Sequence, residues 1–480
     1  TGVQTCALPI CPARARRGAE MQSLDVLEGA AVAVDGDRIA AVGPAADLLR
    51  AYPGAEQVDC AGGVLAPGLV DSHTHGIFGR SRYDEQELRA SGVGYMEIAK
   101  RGGGIHGSVR DLRARSEDDL FALALPRLRR LAAHGTTTVE IKSGYGLSVD
   151  DELKSLRVIR RLADAIPLRL VPTFLGAHEI PLEYRAAPRT RDEYVSLVVE
   201  EMIPRVAAEG LARFADVFCE PGVYTVDESR RILTAARAAG LGIKLHADEL
   251  EPGGGAELAG ELGATSADHL AAISEAGIRA LAASGTVATL LPGTMMFLGR
   301  PRQAPARALL DAGAAIALAT DFNPGTSPTV NFPLMLTIGV SQIRLTVAEA
   351  VLAATVNGAA ALGLADRTGQ LVPGMSADLA LFEIERPEWR EFGSCSSTPL
   401  IIISGLNNGT LYKCGLTATN AVGTSVAPDP QFYTTQFTPS NPNPPGVPTG
   451  VTAVPGNGQA TLSFTRSEEH TSELQSRLHL

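Results

Sequence analysis

Several features are scarce or absent in this 480-residue chain, and each absence narrows the class of protein. Basic residues are outnumbered, with 42 Lys and Arg against 53 Asp and Glu, so a nucleic-acid-binding surface is not expected. No run of about 18 apolar residues occurs, so no membrane-spanning helix is predicted. The six Cys show no Cys-x-x-Cys spacing, which argues against a zinc knuckle or a redox dithiol. Cys60 and Cys219 lie in apolar strand patterns and indicate reduced core thiols of a cytoplasmic protein.

The central part of the chain alternates short apolar strands with helical stretches. Hydrophobic residues make up 45% and charged residues 20%, the balance of a globular protein. Residues 67–354 carry the alternation that is typical of a parallel sheet covered by helices. The predicted helices include Asp151–Ala163 and Asp227–Ala239. Eight strands are predicted, at Leu69–Asp71, Thr137–Ile141, Arg169–Leu175, Asp216–Cys219, Gly242–Leu245, Thr265–Ala267, Thr286–Leu291 and Ala315–Thr320. The pattern predicts an α/β fold, a (β/α)₈ TIM barrel, with its chemistry at the C-terminal strand ends.

Both flanks of this barrel return to a strand-like pattern. Residues 21–66 alternate apolar and polar positions around an Asp35-Gly36 turn, and residues 355–393 contain a further strand pattern at 377–382. We therefore expect a small β-sandwich domain built from 21–66 and 355–393 together.

The two ends differ in style from the rest. Segments 1–10 and 467–475 resemble translations of the two strands of one sequencing-adapter sequence, so residues 1–20 and 466–480 are predicted to lie outside the fold. Residues 394–465 resemble incomplete fibronectin type III modules, with Tyr412 as the tyrosine corner. Because a sandwich that lacks half its strands cannot close its core, we expect this tail to pack poorly.

Histidines and one aspartate gather at the predicted strand ends. His73 and His75 end the first strand, and side chains two residues apart point to the same face of a strand. His246 follows the fifth strand, His269 the sixth, and Asp321 the eighth. Neutral imidazoles and a carboxylate suit zinc or iron(II). A lone His-x-His is a weak signal, but the recurrence at several strand ends predicts a metal site.

This pattern resembles the amidohydrolase superfamily. The resemblance implies that His73, His75, His246 and Asp321 bind one divalent metal ion, zinc or iron. Binuclear members of the superfamily carry a bridging carboxylated lysine or glutamate at the end of strand four. Here that strand ends in Glu220, which is the residue that could bridge a second ion, whereas Lys142 follows strand two.

More specific segments resemble the imidazolonepropionase family. They include Lys142-Ser143-Gly144-Tyr145-Gly146 and Thr320-Asp321-Phe322-Asn323-Pro324-Gly325-Thr326, and the likeness runs from about Ile39 to Phe382. It implies hydrolysis of 4-imidazolone-5-propanoate to N-formimidoyl-L-glutamate in histidine degradation, by a cytoplasmic homodimer acting on a small molecule. The alternatives are another amidohydrolase, such as a heterocyclic-base deaminase, and a binding protein with an inert barrel.

The substrate of that family carries a propionate, which a planar guanidinium can bind through two hydrogen bonds. Spacing alone does not separate Arg80 from Arg82 on the loop after His75, and the resemblance selects Arg82. It also points to substrate-binding roles for Tyr145, His178, Glu249, Asn323, Gly325 and Thr326.

Three residues are predicted to carry the chemistry. A metal ion lowers the pKa of a bound water to about 7. Asp321 is expected to take the proton from that water, and His269 to polarise the ring carbonyl. Glu249 is expected to pass a proton to the leaving ring nitrogen.

Overall fold

A computed structural model of the chain describes residues 14–382 apart from 59, 61–62, 94–96 and 99–101, together with short strands at 6–7 and between 411 and 465. The chain divides into two compact units, Thr1–Gly393 and Ser394–Leu480.

Eight parallel strands form the centre of the first unit, in chain order around one sheet. Five earlier strands precede them: β1 (Cys6–Ala7), β2 (Val26–Leu27), β3 (Ala30–Asp35), β4 (Arg38–Pro44) and β5 (Val64–Pro67). The eight are β6 (Leu69–Asp71), β7 (Thr136–Lys142), β8 (Arg169–Ala177), β9 (Phe214–Cys219), β10 (Gly242–Ala247), β11 (Ser266–His269), β12 (Val287–Leu290) and β13 (Ile316–Leu318). The predicted barrel is thereby confirmed.

Helices cover the outside of these strands. Within the described residues they span Ala45–Ala51, Tyr83–Ala90, Gly104–Arg113, Glu117–Ala133, Val149–Ala165, Arg191–Leu197, Ile203–Ala208, Val226–Ala238, Gly255–Leu262, Glu275–Ser284, Pro292–Phe297, Ala306–Asp311, Phe332–Ser341, Val347–Ala354 and Val356–Ala360, with a π-helical turn at Val198–Met202 and 3₁₀ turns at Gly18–Gln22 and Leu182–Tyr184. The longer ones begin at side-chain caps: Ser148 accepts from the N–H of Asp151, and Thr225 from that of Glu228. No described helix is long and apolar enough to cross a membrane.

The first and last barrel strands meet through side chains and loop backbone. Both carboxylate oxygens of Asp71 bind Thr320, one at its N–H (3.0 Å) and one at its hydroxyl (2.7 Å). Above them, the N–H of Asp321 donates to the carbonyl of His73 (3.0 Å), and that of His75 donates to Phe322 (2.8 Å). This closure places the residues that follow β6 and β13 side by side at the C-terminal end of the barrel.

Strands from both flanks lie together beside the barrel. β3 and β4 form an antiparallel hairpin, and β5 pairs with β14 (Leu379–Phe382) from the far end of the unit. Ala30 and Ile39 share a small core with Leu371 and Met375. Residues from both flanks therefore lie together in one β region, whereas their forming a separate small β-sandwich domain stays a prediction.

The segment before residue 21 differs from its prediction where it is described. Residues 14–20 were expected to lie outside the fold, yet the N–H of Gly18 donates to the carbonyl of Ala314 (3.0 Å). The side-chain amide of Asn357 both accepts from the N–H of Arg16 (2.7 Å) and donates to its carbonyl (3.0 Å). Met21 is fully buried. This segment is held by backbone hydrogen bonds that side-chain patterns do not reveal.

The second unit contains short antiparallel strands among its described residues. β15 (Leu411–Lys413) pairs with β18 (Phe432–Thr434), β16 (Thr419–Asn420) with β17 (Gly423–Thr424), and β19 (Thr449–Gly456) with β20 (Gln459–Thr465). Its likeness to fibronectin modules stays a prediction, and residues 466–480 lie outside the described part.

Candidate metal centre and active site

Three imidazoles and one carboxylate converge at the C-terminal end of the barrel. The Nε2 atoms of His75 and His246 are 3.3 Å apart. The Oδ1 of Asp321 lies 3.6 Å from the Nε2 of His73 and 3.5 Å from that of His75. Ligand atoms of His73, His75 and His246 all lie within 4.8 Å of one another. These are the four residues that the sequence predicted as metal ligands.

A hydrogen bond at Nδ1 of His73 fixes the tautomer of the ring and the direction of its Nε2 atom. Nδ1 of His73 contacts Oδ2 of Asp268 at 2.6 Å, so Nδ1 carries the proton and Nε2 presents a lone pair. That Nε2 is buried and has no hydrogen-bond partner among the described residues. An unpartnered buried acceptor among other imidazoles fits a bound cation.

Burial keeps the rings of His73 and His75 neutral. Desolvation lowers the pKa of His73 and of His75 well below the usual value, and neighbouring cationic groups add to the effect. A neutral imidazole is the form that binds a metal. The donor set of three imidazole nitrogens and a carboxylate oxygen therefore fits one divalent ion.

Asp321 has a second partner that orients its carboxylate. Its Oδ2 accepts from the hydroxyl of Thr294 at 2.6 Å, which leaves Oδ1 toward the histidines. Burial raises its pKa to about 6, although the hydrogen bond from Thr294 opposes the rise. Asp321 has a φ of 51°, and His269 a φ of 79°, a region that residues other than glycine seldom adopt. Backbone strain at both positions is typical of functional sites.

Glu249 and His269 lie beside this centre. The Oε2 of Glu249 is 3.7 Å from the Nδ1 of His269. Burial, followed by the charge of Asp321, raises the pKa of Glu249 well above its usual value. A protonated carboxyl next to a carboxylate can donate where Asp321 accepts, which is the division of roles that acid–base catalysis needs.

Glu220 does not take the position of a bridging ligand. Its carboxylate accepts from three consecutive backbone N–H groups, those of Glu249 (2.9 Å), Leu250 (3.0 Å) and Glu251 (2.8 Å). It therefore holds the loop that carries Glu249. Glu220 belongs to none of the groups of described residues whose ligand atoms converge.

Arg82 and Arg80, which spacing alone could not separate, have different surroundings. Arg80 is exposed and pairs with Asp84 at 3.2 Å. Arg82 is only 6% exposed, and donates to Ser108 (2.9 Å) and Glu85 (3.2 Å). A Cβ on Gly325 would overlap the guanidinium of Arg82, so only glycine leaves room for it. The structure thus joins Arg82 to the loop after the eighth strand.

That loop is held by Asn323. Its Oδ1 accepts from the N–H groups of Gly325 (2.8 Å) and Thr326 (2.7 Å), and its Nδ2 donates to the Asp321 carbonyl (2.8 Å) and the Thr326 hydroxyl (2.8 Å). The amide of Asn323 is engaged within the loop. The N–H of Arg82 in turn donates to the Pro324 carbonyl (2.7 Å).

His178 and Tyr145 form a wall next to the metal ligands. The ring of His178 stacks near that of His75, with centroids 5.0 Å apart, and Tyr145 lies 5.2 Å from His178. Burial lowers the pKa of His178 to about 3, so the ring is neutral at pH 7. Its Nδ1 lies 2.9 Å from the carbonyl of Gly144 and carries the proton, so Nε2 is an acceptor.

Beneath the centre lies an ion cluster that sequence reasoning missed. It consists of fully buried charged residues inside the barrel, namely Glu140, Lys142, Asp216, Lys244 and Asp268. In the sequence, Lys142 stands out only as a lysine after strand two, away from the position of a bridging ligand. The available signal was the occurrence of charged residues two apart within apolar strands, as in Glu140 and Lys142, which places both toward the barrel axis.

Comparison with known protein families gives matches over the barrel and over the β region of the first unit. The sequence pattern of the amidohydrolase family matches residues 64–413. That of the imidazolonepropionase-like composite domain of bacteria matches residues 30–55. The two matches together cover the barrel and parts of both flanks of the β region.

Individual relatives are similar over most of their length. Imidazolonepropionase of Geobacillus kaustophilus is 48% identical over 369 residues, 76% of this chain and 86% of the relative. That of Symbiobacterium thermophilum is 50% identical over 370 residues, with the same coverage. That of Rubrobacter xylanophilus is 49% identical over 377 residues, 78% of this chain and 89% of the relative.

Solved structures share the fold at low identity. A zinc-bound adenosine deaminase from Xanthomonas campestris superimposes with a TM-score of 0.59 at 20% identity, covering 81% of this chain and 87% of that one. Guanine deaminase of E. coli gives 0.58 at 18% identity, covering 79% and 89%. At such identities the likeness concerns the fold alone.

Proposed function

The chain belongs to the imidazolonepropionase family of amidohydrolases, and from this premise we propose that it hydrolyses 4-imidazolone-5-propanoate to N-formimidoyl-L-glutamate. One observation carries the proposal at the level of the site. The loops after β6 and β13 are tied together twice, from His75 to Phe322 and from Arg82 to Pro324. The same two loops thus bear metal ligands and a buried guanidinium, which a substrate with a cyclic amide and a carboxylate requires.

The residues that would hold the metal are His73, His75, His246 and Asp321. Bound there, a divalent ion lowers the pKa of water to about 7 and polarises a carbonyl oxygen. We propose one ion, because Glu220 is engaged with three backbone N–H groups. The donor set suits zinc or iron(II).

The protons are moved by side chains of this chain. Asp321 takes a proton from water as the water oxygen attacks the ring carbonyl carbon. The bond between that carbon and the ring nitrogen then breaks, and Glu249 delivers a proton to the nitrogen. His269, 3.7 Å from Glu249, donates a hydrogen bond to the carbonyl oxygen. The net reaction consumes one water, whose hydroxyl ends on carbon while the nitrogen gains one proton. Transfer of the proton held by Asp321 to the deprotonated Glu249 restores both carboxyl groups for the next turnover.

Substrate binding is assigned to the wall and the two loops. Arg82 binds the propionate, with Gly325 leaving space beside it. Tyr145 and His178 contact the flat ring, and Thr326 and Glu249 complete the polar lining. Asn323 acts indirectly, by holding the loop that carries Gly325 and Thr326. We propose that the enzyme acts as a cytoplasmic homodimer, as the family resemblance implies, and that residues 394–480 take no part in the reaction.

An ultraviolet assay of freshly generated imidazolonepropionate, using the full chain, tests this function. We expect substrate loss that stops with a chelator and returns on adding zinc or iron(II). Heterocyclic bases that lack a carboxylate serve as competing substrates, because they are what a deaminase of this fold would use. Turnover of such a base, and none of imidazolonepropionate by folded, metal-loaded protein, would reject the proposal in favour of the deaminase alternative.

A further inference from the structure

The ion cluster under the metal centre links two lysines to three carboxylates. The Nζ of Lys142 lies 2.7 Å from Asp216 Oδ2, 2.9 Å from Glu140 Oε2 and 3.5 Å from Asp268 Oδ2. The Nζ of Lys244 lies 2.8 Å from the same oxygen of Glu140 and 3.8 Å from Asp268, and donates to the carbonyl of Ser72 at 2.9 Å. All five side chains have zero or near-zero exposure.

Filling the barrel interior with charged side chains costs free energy of folding. Burying a charge costs several kcal/mol even after the protein relaxes, and well-packed apolar side chains often serve stability as well or better. The interior of a (β/α)₈ barrel is ordinarily filled by branched apolar residues. The cluster therefore calls for a role beyond packing.

Two of its carboxylates contact metal-ligand histidines. Asp268 Oδ2 lies 2.6 Å from His73 Nδ1. Asp216 accepts from the backbone N–H of His246 at 3.0 Å, and its Oδ2 lies 3.0 Å from Nδ1 of that ring without the alignment of a hydrogen bond. Asp216 and Asp268 are thus the bridge between the lysines and the imidazoles.

Each carboxylate has its own orientation fixed from the other side. Asp268 accepts from the hydroxyl of Ser266 at 2.6 Å, and Glu140 from that of Thr173 at 2.5 Å. The lysines then fix the remaining oxygens. Three carboxylates against two ammonium groups leave one negative charge in excess, which favours a cation above the cluster.

We propose that Lys142 and Lys244 are positioning residues for the metal centre: by fixing Asp216 and Asp268, they aim the Nε2 atoms of His246 and His73 before any ion binds. This rests on the proposed metal-dependent function, because it takes those histidines as ligands. Neither lysine is assigned a contact with substrate. Their effect is exerted on metal affinity, through carboxylates that orient the ligands.

Zinc affinity of the full chain is the deciding measurement, made by competition with a chromophoric chelator. Lys142→Met keeps the length of the side chain and removes its charge. We expect its zinc dissociation constant to rise about 10- to 100-fold, the usual effect of losing a group that orients a ligand. Lys142→Met combined with Glu140→Gln restores the charge balance, and we expect part of the affinity to return.

The matched control is Lys154→Met. Lys154 is also largely buried, and its Nζ donates to Asp151 and to the carbonyls of Leu112 and Arg115, but it lies on the outer helix Val149–Ala165. We expect its zinc affinity to equal that of the parent chain. An equal loss in both lysine variants would overturn the proposal.

If Lys142→Met does not fold, a milder variant tests the positioning role. Ser266→Ala leaves every charge in place and removes only a donor to Asp268, so we expect zinc binding about fivefold weaker, equivalent to one hydrogen bond. Unchanged affinity in a folded Lys142→Met, or in Ser266→Ala where the former fails, overturns the positioning role alone. A parent chain that binds no zinc or iron(II) would overturn the metal-dependent function as well.

Discussion

Replacing Arg82 with lysine tests whether the two barrel loops form a carboxylate-binding corner. The guanidinium of Arg82 is 6% exposed and is held by Ser108 and Glu85, beside the space that Gly325 leaves. Lysine keeps the positive charge but not the planar fork, so it can offer the propionate one hydrogen bond where arginine offers two.

The size of the effect follows from that one lost contact. A hydrogen bond to a charged partner contributes about 1.5–3 kcal/mol. Because each 1.4 kcal/mol is a factor of ten, we expect KM for imidazolonepropionate to rise about 10- to 150-fold. Turnover should change little, since the propionate stays bound throughout the reaction and is remote from the bond that breaks.

Steady-state kinetics of Arg82→Lys and Arg80→Lys side by side make the test specific. Arg80 lies on the same loop but is exposed and paired with Asp84, so its variant should retain the parent KM. If Arg82→Lys lowers kcat and kcat/KM by the same factor, the lost interaction belongs to the transition state only, and the carboxylate clamp is refuted.

Two further substitutions address the proton path. Glu249→Gln should lose about 10²- to 10⁴-fold in kcat while binding metal normally, because a positioned acid is removed. Burial raises the pKa of Glu249, so the parent enzyme should lose activity as rising pH deprotonates this acid, and the variant's pH–rate profile should lack that limb. A retained limb or an unchanged kcat would exclude Glu249 as the acid. Glu220→Gln removes an anionic acceptor of three N–H groups from the loop that bears Glu249. We expect it to lower kcat about tenfold and leave zinc affinity unchanged, since loss of such a contact costs about 1.4 kcal/mol; weaker zinc binding with unchanged kcat would make Glu220 part of the metal site instead.

The barrel could be predicted from sequence because its signals are local. Apolar runs of strand length recur between amphipathic helices, and all eight predicted strands are present, with shifts of a few residues at their ends. The helix predicted from Asp151 begins at Val149, after the cap Ser148. One such difference is at β13, predicted at Ala315–Thr320 and observed at Ile316–Leu318, where the chain leaves the sheet toward Asp321.

The convergence of the candidate metal ligands was predictable for a related reason. Once strands are placed, their C-terminal ends must meet in space, so His73, His246 and Asp321 converge whatever the details of packing. Arg82 was harder, because Arg80 lies on the same loop and only the fold reveals which of them faces Gly325. Residues 14–20 were misjudged since their attachment depends on backbone hydrogen bonds to residues nearly 300 positions away, such as that of Gly18 to Ala314.

The division between strands and loops also separates two kinds of candidate site residue. His73 lies two residues after β6, and His246 lies within β10 at the same end of the barrel, so the positions of these candidate ligands follow from the strands. Arg82 and Gly325 lie on loops, whose sequence can change without altering the strands. Under the proposed function, the substrate carboxylate contacts this second group of residues. We therefore expect the preference for a cyclic amide with a propionate over a bare heterocycle to depend on the contact between these two loops, where a Cβ on residue 325 would overlap the Arg82 guanidinium.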